Sequence, residues 1–234
     1  MSLDIARIKA LLFDVDGTLR DTDDQFVSRI AQFLNPFRFM LPNRDPFQVS
    51  RRLVMKLESP ATYLYGLPDK IGIDHYLVLL GEYFHNRSLR VPQVDDYPII
   101  DGVYQALMLL APAYPMGIVS NRDEKSTKTF LEVNKLDSLF KSVITNQTCR
   151  YNKPYPDPLI LASDQLEVPV ESCLMIGDTT VDMRAGKAAG AQNVGVLCGF
   201  GEKEELLASG ADLVLSSTKE LVAILSQDQI KKYK

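Results

Sequence analysis

Short, almost uninterrupted apolar runs recur along this sequence, and they are followed by polar or glycine-containing turns. The first run, from Lys9 to Val15, leads into an Asp-Gly pair. Such a run is typical of a strand that is buried on both faces, as in a parallel sheet covered by helices. Further runs predict five more strands, at residues 116–119, 142–145, 173–176, 193–197 and 212–215.

Helical patterns separate these runs. Apolar residues at spacings of three and four predict helices at 102–110, 124–133, 158–166, 181–189, 202–208 and 218–225. Asp123 precedes one of them as a candidate N-cap, and Ser217 and Thr218, followed by Glu220, begin the last. This alternation predicts an α/β fold with a doubly wound, Rossmann-like parallel sheet as its core.

The region from residue 22 to residue 97 has a different pattern. It predicts helices at 24–34, 47–57 and 74–84, separated by prolines, and it contains no strong strand pattern. We therefore expect a small α-helical domain, residues 22–97, inserted after the first strand. The α/β core domain would then comprise residues 1–21 and 98–234.

Charge and cysteine content exclude several classes of protein. The formal net charge is −4, so bulk charge does not indicate a nucleic-acid or anionic-membrane partner. Three cysteines without metal-ligand spacing disfavour a disulfide framework or a zinc site and favour a reducing compartment. The longest apolar run, residues 106–119, contains two prolines and is too short to span a bilayer. Without a signal sequence at the N-terminus, these features predict a cytoplasmic protein, as a monomer or homodimer.

Two carboxylates follow the first predicted strand. Asp14 and Asp16 are two residues apart, so at strand spacing they point to the same side. Ligands of open α/β sheets bind at the carboxyl ends of the strands. The pair fits a nucleophile or metal ligand beside an acid/base group, whereas the Asp-Gly sequence alone would favour a simple turn.

Polar residues at the other strand ends add groups that can bind a phosphate or a metal ion. Ser120 and Asn121 can hold a phosphate or begin a helix, and Lys153 can neutralise a phosphoryl group or remain solvated. Asp178 and Asp182 offer oxygen ligands to Mg²⁺ or favour a helix N-terminus. Because they follow successive strands in this order, we favour the functional interpretation, namely the groups that phosphoryl transfer requires.

The motifs resemble those of the haloacid dehalogenase-like hydrolase superfamily, in its phosphatase branch. DVDGTLRD, from Asp14 to Asp21, is similar to its first motif, DxDGT. Ser120, Lys153 and the pair formed by Asp178 and Asp182 match the second, third and fourth motifs. The insertion lies where this branch carries a helical cap, and the resemblance implies that the cap governs substrate choice.

The resemblance implies a role for each matching residue. Asp14 would be the nucleophile that forms an aspartyl-phosphate, Asp16 would be the acid/base, and Lys153 would offset negative charge. Mg²⁺ would be held by Asp14, the backbone carbonyl of Asp16 and Asp178, with Asp182 supporting the metal shell or orienting Lys153. Ser120, together with Asn121, would bind phosphoryl oxygens, and Thr18 would brace the first loop.

The expected function is a Mg²⁺-dependent phosphatase that acts on a small phosphorylated metabolite and is similar to phosphoglycolate phosphatases. Asp16 favours phosphoester cleavage over carbon–halogen or carbon–phosphorus cleavage, since members with those activities lack an Asp there. A phosphomutase of the β-phosphoglucomutase kind stays open as an alternative, and a non-catalytic binding module ranks last. Arg20 replaces the apolar residue that is usual in this branch, and it either contacts substrate or faces solvent.

Overall fold

The protein forms a six-stranded parallel sheet flanked by helices. The computed structural model describes residues 3–21, 31–40, 46, 49–50 and 97–232. Within these ranges the strands are β1 (Ala10–Phe13), β2 (Met116–Val119), β3 (Phe140–Ile144), β4 (Cys173–Gly177), β5 (Gln192–Val196) and β6 (Leu213–Leu215). The strand order is β3-β2-β1-β4-β5-β6, and every pairing is parallel. The predicted doubly wound α/β fold is therefore confirmed.

The sheet order fixes where a ligand can bind. The chain proceeds from β1 through β2 to β3 on one side, and then returns to β4 on the other side of β1. This reversal beside β1 opens a crevice at the carboxyl ends of the strands, which is the usual ligand site of such sheets. All the polar residues singled out above at strand ends follow β1, β2, β3 or β4.

Six α-helices cover the sheet in the described ranges. They are α1 (Val103–Leu110), α2 (Glu124–Val133), α3 (Asp157–Gln165), α4 (Thr180–Ala189), α5 (Lys203–Ser209) and α6 (Leu221–Lys232). Short 3-10 helices lie at Ile5–Arg7, Asn35–Met40, Asp137–Leu139, Val170–Ser172 and Thr218–Glu220. Asp123 caps α2 as predicted, because its side chain accepts a hydrogen bond from the amide of Ser126 at 2.9 Å.

Alternate residues of β1 face two separate hydrophobic clusters. Leu11 and Phe13 pack in a cluster with residues of α1, α2 and α6, whereas Ala10 and Leu12 pack in another with residues of α3 and α4. All four β1 side chains are buried. Because both faces of β1 are buried, its sequence is a continuous apolar run.

The predicted element bounds differ from the observed ones mainly at two places. Strand β3 begins at Phe140, two residues before the predicted start, because exposed Lys141 interrupts the apolar pattern between two buried residues. The predicted helix 218–225 is a 3-10 turn followed by α6, which extends to Lys232. Its last turns consist mostly of polar residues that favour helix without adding apolar periodicity.

Most of the predicted insertion lies outside the described residues. The helices predicted at 47–57 and 74–84 fall almost entirely there, and for 24–34 only residues 31–34 are described, as helix. The domain bounds at 22 and 97 thus stay a prediction. Within the described ranges, no helix combines the length and apolar composition that crossing a bilayer requires.

Candidate active site

Asp14 lies directly after β1, at the reversal point of the sheet. Its amide donates to the carbonyl of Ile176 in β4 at 2.9 Å, which continues the strand pairing by one residue. Burial raises the pKa of its carboxyl to about 7, against the lowering influence of Lys153 and with a further increase from Asp182. The fold therefore holds a carboxylate where ionisation is costly without added positive charge.

Lys153 joins two carboxylates that come from different strand ends. Its buried Nζ lies 2.6 Å from Oδ1 of Asp14 and 2.6 Å from Oδ1 of Asp182. Burial alone would lower the pKa of Lys153, but the charges of the two carboxylates outweigh it and raise the pKa. The side chain of Asn121 donates to the carbonyl of Lys153 at 3.1 Å, so the loop after β2 fixes the loop that carries this lysine.

Asp178 is the first residue after β4, and it is completely buried. Its Oδ1 accepts from the hydroxyl of Thr18 at 3.4 Å, and its Oδ2 accepts from the amide of Phe200 at 2.8 Å. A Cβ at Gly17 or Gly199 would overlap Oδ2 of Asp178, and Gly17 also has a φ of +73°. Glycine at these two positions lets the backbone approach the carboxylate closely.

Asp182 serves the helix and the site with different atoms. Its Oδ2 accepts from the amide of Thr179 at 3.0 Å and from the Thr179 hydroxyl at 2.6 Å, which completes a capping box at the start of α4. Its Oδ1 binds Lys153. The helix cap and the contact with Lys153 therefore do not exclude each other, because they use different oxygens of one side chain.

Three buried carboxylates form a cluster that suits a cation. One oxygen of each of Asp14, Asp178 and Asp182 lies within 4.8 Å of the others. With all three carboxylates ionised and the charge of Lys153 included, this buried group carries a net charge of −2. Oxygen donors with this charge fit a hard divalent cation such as Mg²⁺. The carboxylate of Asp16 does not belong to this cluster. That the backbone carbonyl of Asp16 binds the metal stays a prediction.

Ser120 follows β2 and is buried. Its amide donates to the carbonyl of Ile144 at 2.9 Å, and its hydroxyl accepts from the amide of Arg122 at 3.2 Å. Ser120 does not cap α2, since Asp123 does so. Thr18, in the first loop, accepts at its carbonyl from the hydroxyl of Thr218 at 2.7 Å, and its bracing role stays a prediction.

Asp16 points to a different set of partners, two arginines. Arg122 donates from Nη1 to both carboxylate oxygens of Asp16, at 2.6 and 2.8 Å, and Arg20 donates from Nη1 to Oδ1 at 3.2 Å. Arg20 also lies over the ring of Tyr97, 5.0 Å from its centroid, so it is packed in the structure and does not simply face solvent. Arg122 is not among the site residues predicted from the sequence, although it directly follows Ser120 and Asn121.

The sequence and the fold were compared with those of known proteins. The profile of the family described as haloacid dehalogenase-like hydrolase matches residues 11–196. A pyrophosphatase PpaX of Bacillus cereus is 28% identical over 222 residues, which cover 94% of this chain and 97% of that protein. A hydrolase from Pseudomonas syringae superposes with a TM-score of 0.69 at 25% identity and covers 94% of this chain and 98% of that one.

A second solved structure carries a ligand. It is a haloacid dehalogenase family hydrolase from Deinococcus radiodurans with bound phosphate and sodium, and it superposes with a TM-score of 0.68 at 25% identity. The match covers 96% of this chain and 98% of that one. These similarities extend over nearly the whole chain.

Proposed function

This chain belongs to the haloacid dehalogenase-like hydrolase family, and on that basis we propose that it is a Mg²⁺-dependent phosphatase acting on a small phosphorylated metabolite. The family resemblance and the enzyme class expected from the motifs are confirmed by the family match. One observation carries the proposal: Lys153 lies between Asp14 and Asp182, within a buried carboxylate cluster at the reversal point of the sheet. In this proposal the three residues supply a nucleophile, a fixed positive charge and part of a divalent-cation site.

In this proposal Asp14 attacks the phosphorus atom of the substrate and forms an aspartyl-phosphate. A carboxylate is a poor nucleophile toward an anionic phosphoryl group unless positive charge offsets their repulsion. Lys153 binds one oxygen of Asp14 and so orients the carboxylate as well as offsetting charge. Bound Mg²⁺, held by Asp14 and Asp178 with Asp182 in support, would supply the remaining positive charge.

Asp16 completes the proposed chemistry as the acid/base. It would donate a proton to the leaving oxygen and then accept one from the water that attacks the aspartyl-phosphate, so that one group serves both steps. Its carboxylate is about a third exposed, which leaves it accessible to substrate. Ser120 and Asn121 would bind the phosphoryl oxygens from the adjacent strand end.

The relatives support a phosphorylated substrate. The similar Bacillus cereus protein is named a pyrophosphatase, and the similar Deinococcus radiodurans structure contains phosphate. A small phosphorylated metabolite in the cytoplasm, acted on by a monomer or homodimer, stays our proposal for this chain.

The proposal is tested by phosphate release from a panel of phosphorylated metabolites, with and without Mg²⁺. We expect release that needs Mg²⁺ and falls by at least about a thousandfold in Asp14→Asn, because the nucleophile is lost. Asp101→Asn is the matched control, since Asp101 is an exposed carboxylate paired with Lys219. Release that persists undiminished in Asp14→Asn would contradict the proposal. A requirement for a bisphosphorylated sugar would instead indicate a phosphomutase.

A further inference from the structure

Two residues from the C-terminal part of the chain bind the first loop, residues 15–20, which follows β1. Thr218 begins the 3-10 helix before α6, and its buried hydroxyl donates to the carbonyl of Thr18 at 2.7 Å. Cys198, in the segment that follows β5, donates from its thiol to the carbonyl of Gly17 at 3.4 Å. Oγ1 of Thr218 and Sγ of Cys198 lie 4.0 Å apart. The two side chains therefore act together on two successive carbonyls of the first loop.

Hydrogen bonds within the first loop form a tight turn, and they use other carbonyls. The amides of Thr18, Leu19 and Arg20 all donate to the carbonyl of Val15, and the amide of Gly17 donates to the carbonyl of Arg20. The carbonyls of Gly17 and Thr18 instead accept from the two C-terminal side chains. Because both residues are buried, the loss of either donor would leave a buried acceptor to find a new partner or to shift.

The peptide between Gly17 and Thr18 lies against the carboxylate of Asp178. A Cβ at Gly17 would overlap Oδ2 of Asp178, so the backbone of Gly17 is in close contact with this oxygen. The hydroxyl of Thr18 donates to Oδ1 of Asp178 at 3.4 Å. This distance is long for a hydrogen bond from a hydroxyl, so a small outward shift of Thr18 would break it. The position of this peptide therefore controls the surroundings of both oxygens of Asp178.

The hydroxyl of Thr218 serves the first loop and not its own helix. Thr218 is 1% exposed, and at such a position a hydroxyl is costly unless it is hydrogen-bonded. A valine would fill nearly the same volume without that cost. The partner of the hydroxyl lies 200 residues away in the chain, so the bond fixes the first loop relative to the C-terminal segment.

We propose that Thr218, assisted by Cys198, is a positioning residue for the metal site. It holds the peptide between Gly17 and Thr18 so that Asp178 keeps the orientation in which it binds a divalent cation. The inference rests on the metal site of the proposed phosphatase. The route runs from the hydroxyl of Thr218 through the carbonyl and the hydroxyl of Thr18 to Oδ1 of Asp178.

The affinity for Mn²⁺ alone tests this role. Mn²⁺ suits the same oxygen donors as Mg²⁺, and electron paramagnetic resonance measures the free ion without any turnover. The binding that Asp178→Asn removes is the binding at the carboxylate cluster. In Thr218→Val, we expect the Kd of this binding to rise by about three- to tenfold, less than the about ten- to a hundredfold that is typical when a direct partner of a metal ligand is lost.

Thr218→Ser retains the hydroxyl and should bind Mn²⁺ with the affinity of the wild type. An unchanged Kd in Thr218→Val would overturn the inference. So would an equal rise in Thr218→Ser and Thr218→Val, because it would assign the effect to the methyl group and not to the hydrogen bond.

Thr127→Val is the matched control. Thr127 is completely buried, and its hydroxyl donates to the carbonyl of Asp123 at 2.9 Å within the first turn of α2. Both valine variants lose one buried hydroxyl that binds a carbonyl, so urea unfolding should show similar losses of stability. Only Thr218→Val should change the Kd for Mn²⁺. A rise of the same size in Thr127→Val would attribute the effect to lost stability and refute the positioning role.

Cys198→Ala removes the other donor to the first loop. We expect it to raise the Kd for Mn²⁺ by about two- to fivefold, as befits the loss of one hydrogen bond. If Thr218→Val does not fold, this variant decides the question, and an unchanged Kd in it contradicts the inference.

The same measurements separate this inference from the proposed function. Mn²⁺ binding does not require turnover, so absence of phosphate release from a wild type that binds Mn²⁺ would refute the phosphatase proposal alone. A wild type without binding that Asp178→Asn removes would overturn the metal site and the positioning role together.

Discussion

Replacing the proposed nucleophile should stabilise the metal-free protein, although it removes activity. In the folded protein burial raises the pKa of Asp14 from 3.8 to about 7, so at pH 8 the carboxylate is ionised in an environment that disfavours its charge. A pKa difference of this size corresponds to at most about 4 kcal/mol of unfavourable free energy in the folded state. Asn has nearly the same shape and no charge, and its carbonyl can still accept from Lys153.

We therefore expect Asp14→Asn to raise the free energy of unfolding by about 1–3 kcal/mol at pH 8 in the presence of a chelator. The expected increase is smaller than the full free-energy cost of the buried charge, because the hydrogen bond from Lys153 to a neutral amide is weaker than that to a carboxylate. Urea unfolding followed by circular dichroism measures the difference.

The dependence of this gain on pH has a defined sign. Because burial raises the pKa of Asp14 in the folded state, that state binds more protons than the unfolded state between pH 3.8 and about 7. The free energy of unfolding of the wild type therefore falls as pH rises through that window. The advantage of Asp14→Asn should shrink between pH 8 and pH 5 and approach zero near pH 4. A variant that is less stable than the wild type at pH 8 by more than about 1 kcal/mol would refute the reasoning, since it would mean that the ion pair with Lys153 outweighs the cost of burial.

Four further substitutions test the site and the helix caps. Thr179→Val removes the capping box of α4, so it should lower the free energy of unfolding by about 1 kcal/mol and also lower kcat/KM. Asp123→Ala removes the cap of α2 and should lower the free energy of unfolding by a similar amount without lowering kcat/KM. Unfolding curves measure the change in stability, and phosphate release measures the change in kcat/KM. Lys153→Met leaves two buried carboxylates without their shared cation and should destabilise the metal-free protein by about 3–5 kcal/mol at pH 8; a change below 1 kcal/mol in urea unfolding would be inconsistent with this. Gly199→Ala places a Cβ against the carboxylate of Asp178 and should weaken Mg²⁺ binding measured by calorimetry at least about tenfold; unchanged affinity would argue against Asp178 as a ligand.

The inner strands of the sheet are predictable because they are buried on both faces. Apolar runs predict all six strands, although exposed Lys141 interrupts the run of β3, and the residues that follow β1, β2, β3 and β4 supply the candidate site. The order of the strands did not follow from the runs themselves. The structure supplies this order, and it brings the carboxyl ends of the neighbouring parallel strands together at one edge.

Side-chain pairings at the site were less accessible to sequence reasoning. The sequence does not pair Arg122 with Asp16, because 106 residues separate the two and no local pattern links them. For the same reason, the sequence leaves open whether Arg20 contacts substrate or solvent. Its actual neighbours are Tyr97 and Arg122, which come close only after the sheet has formed.

For the polar residues at the strand ends, the sequence offers a structural and a catalytic role as alternatives. Asp182 shows that the choice is unnecessary, because Oδ2 completes the helix cap and Oδ1 binds Lys153. The cap fixes the rotamer of the side chain, and this is what aims the second oxygen at the lysine. A helix start is thus a suitable place for a metal-site carboxylate: the hydrogen bonds that form the helix also supply the orientation that the site needs. It follows that removal of the cap should reduce activity by disordering Asp182 even where the helix itself survives, and the comparison of Thr179→Val with Asp123→Ala separates these two effects.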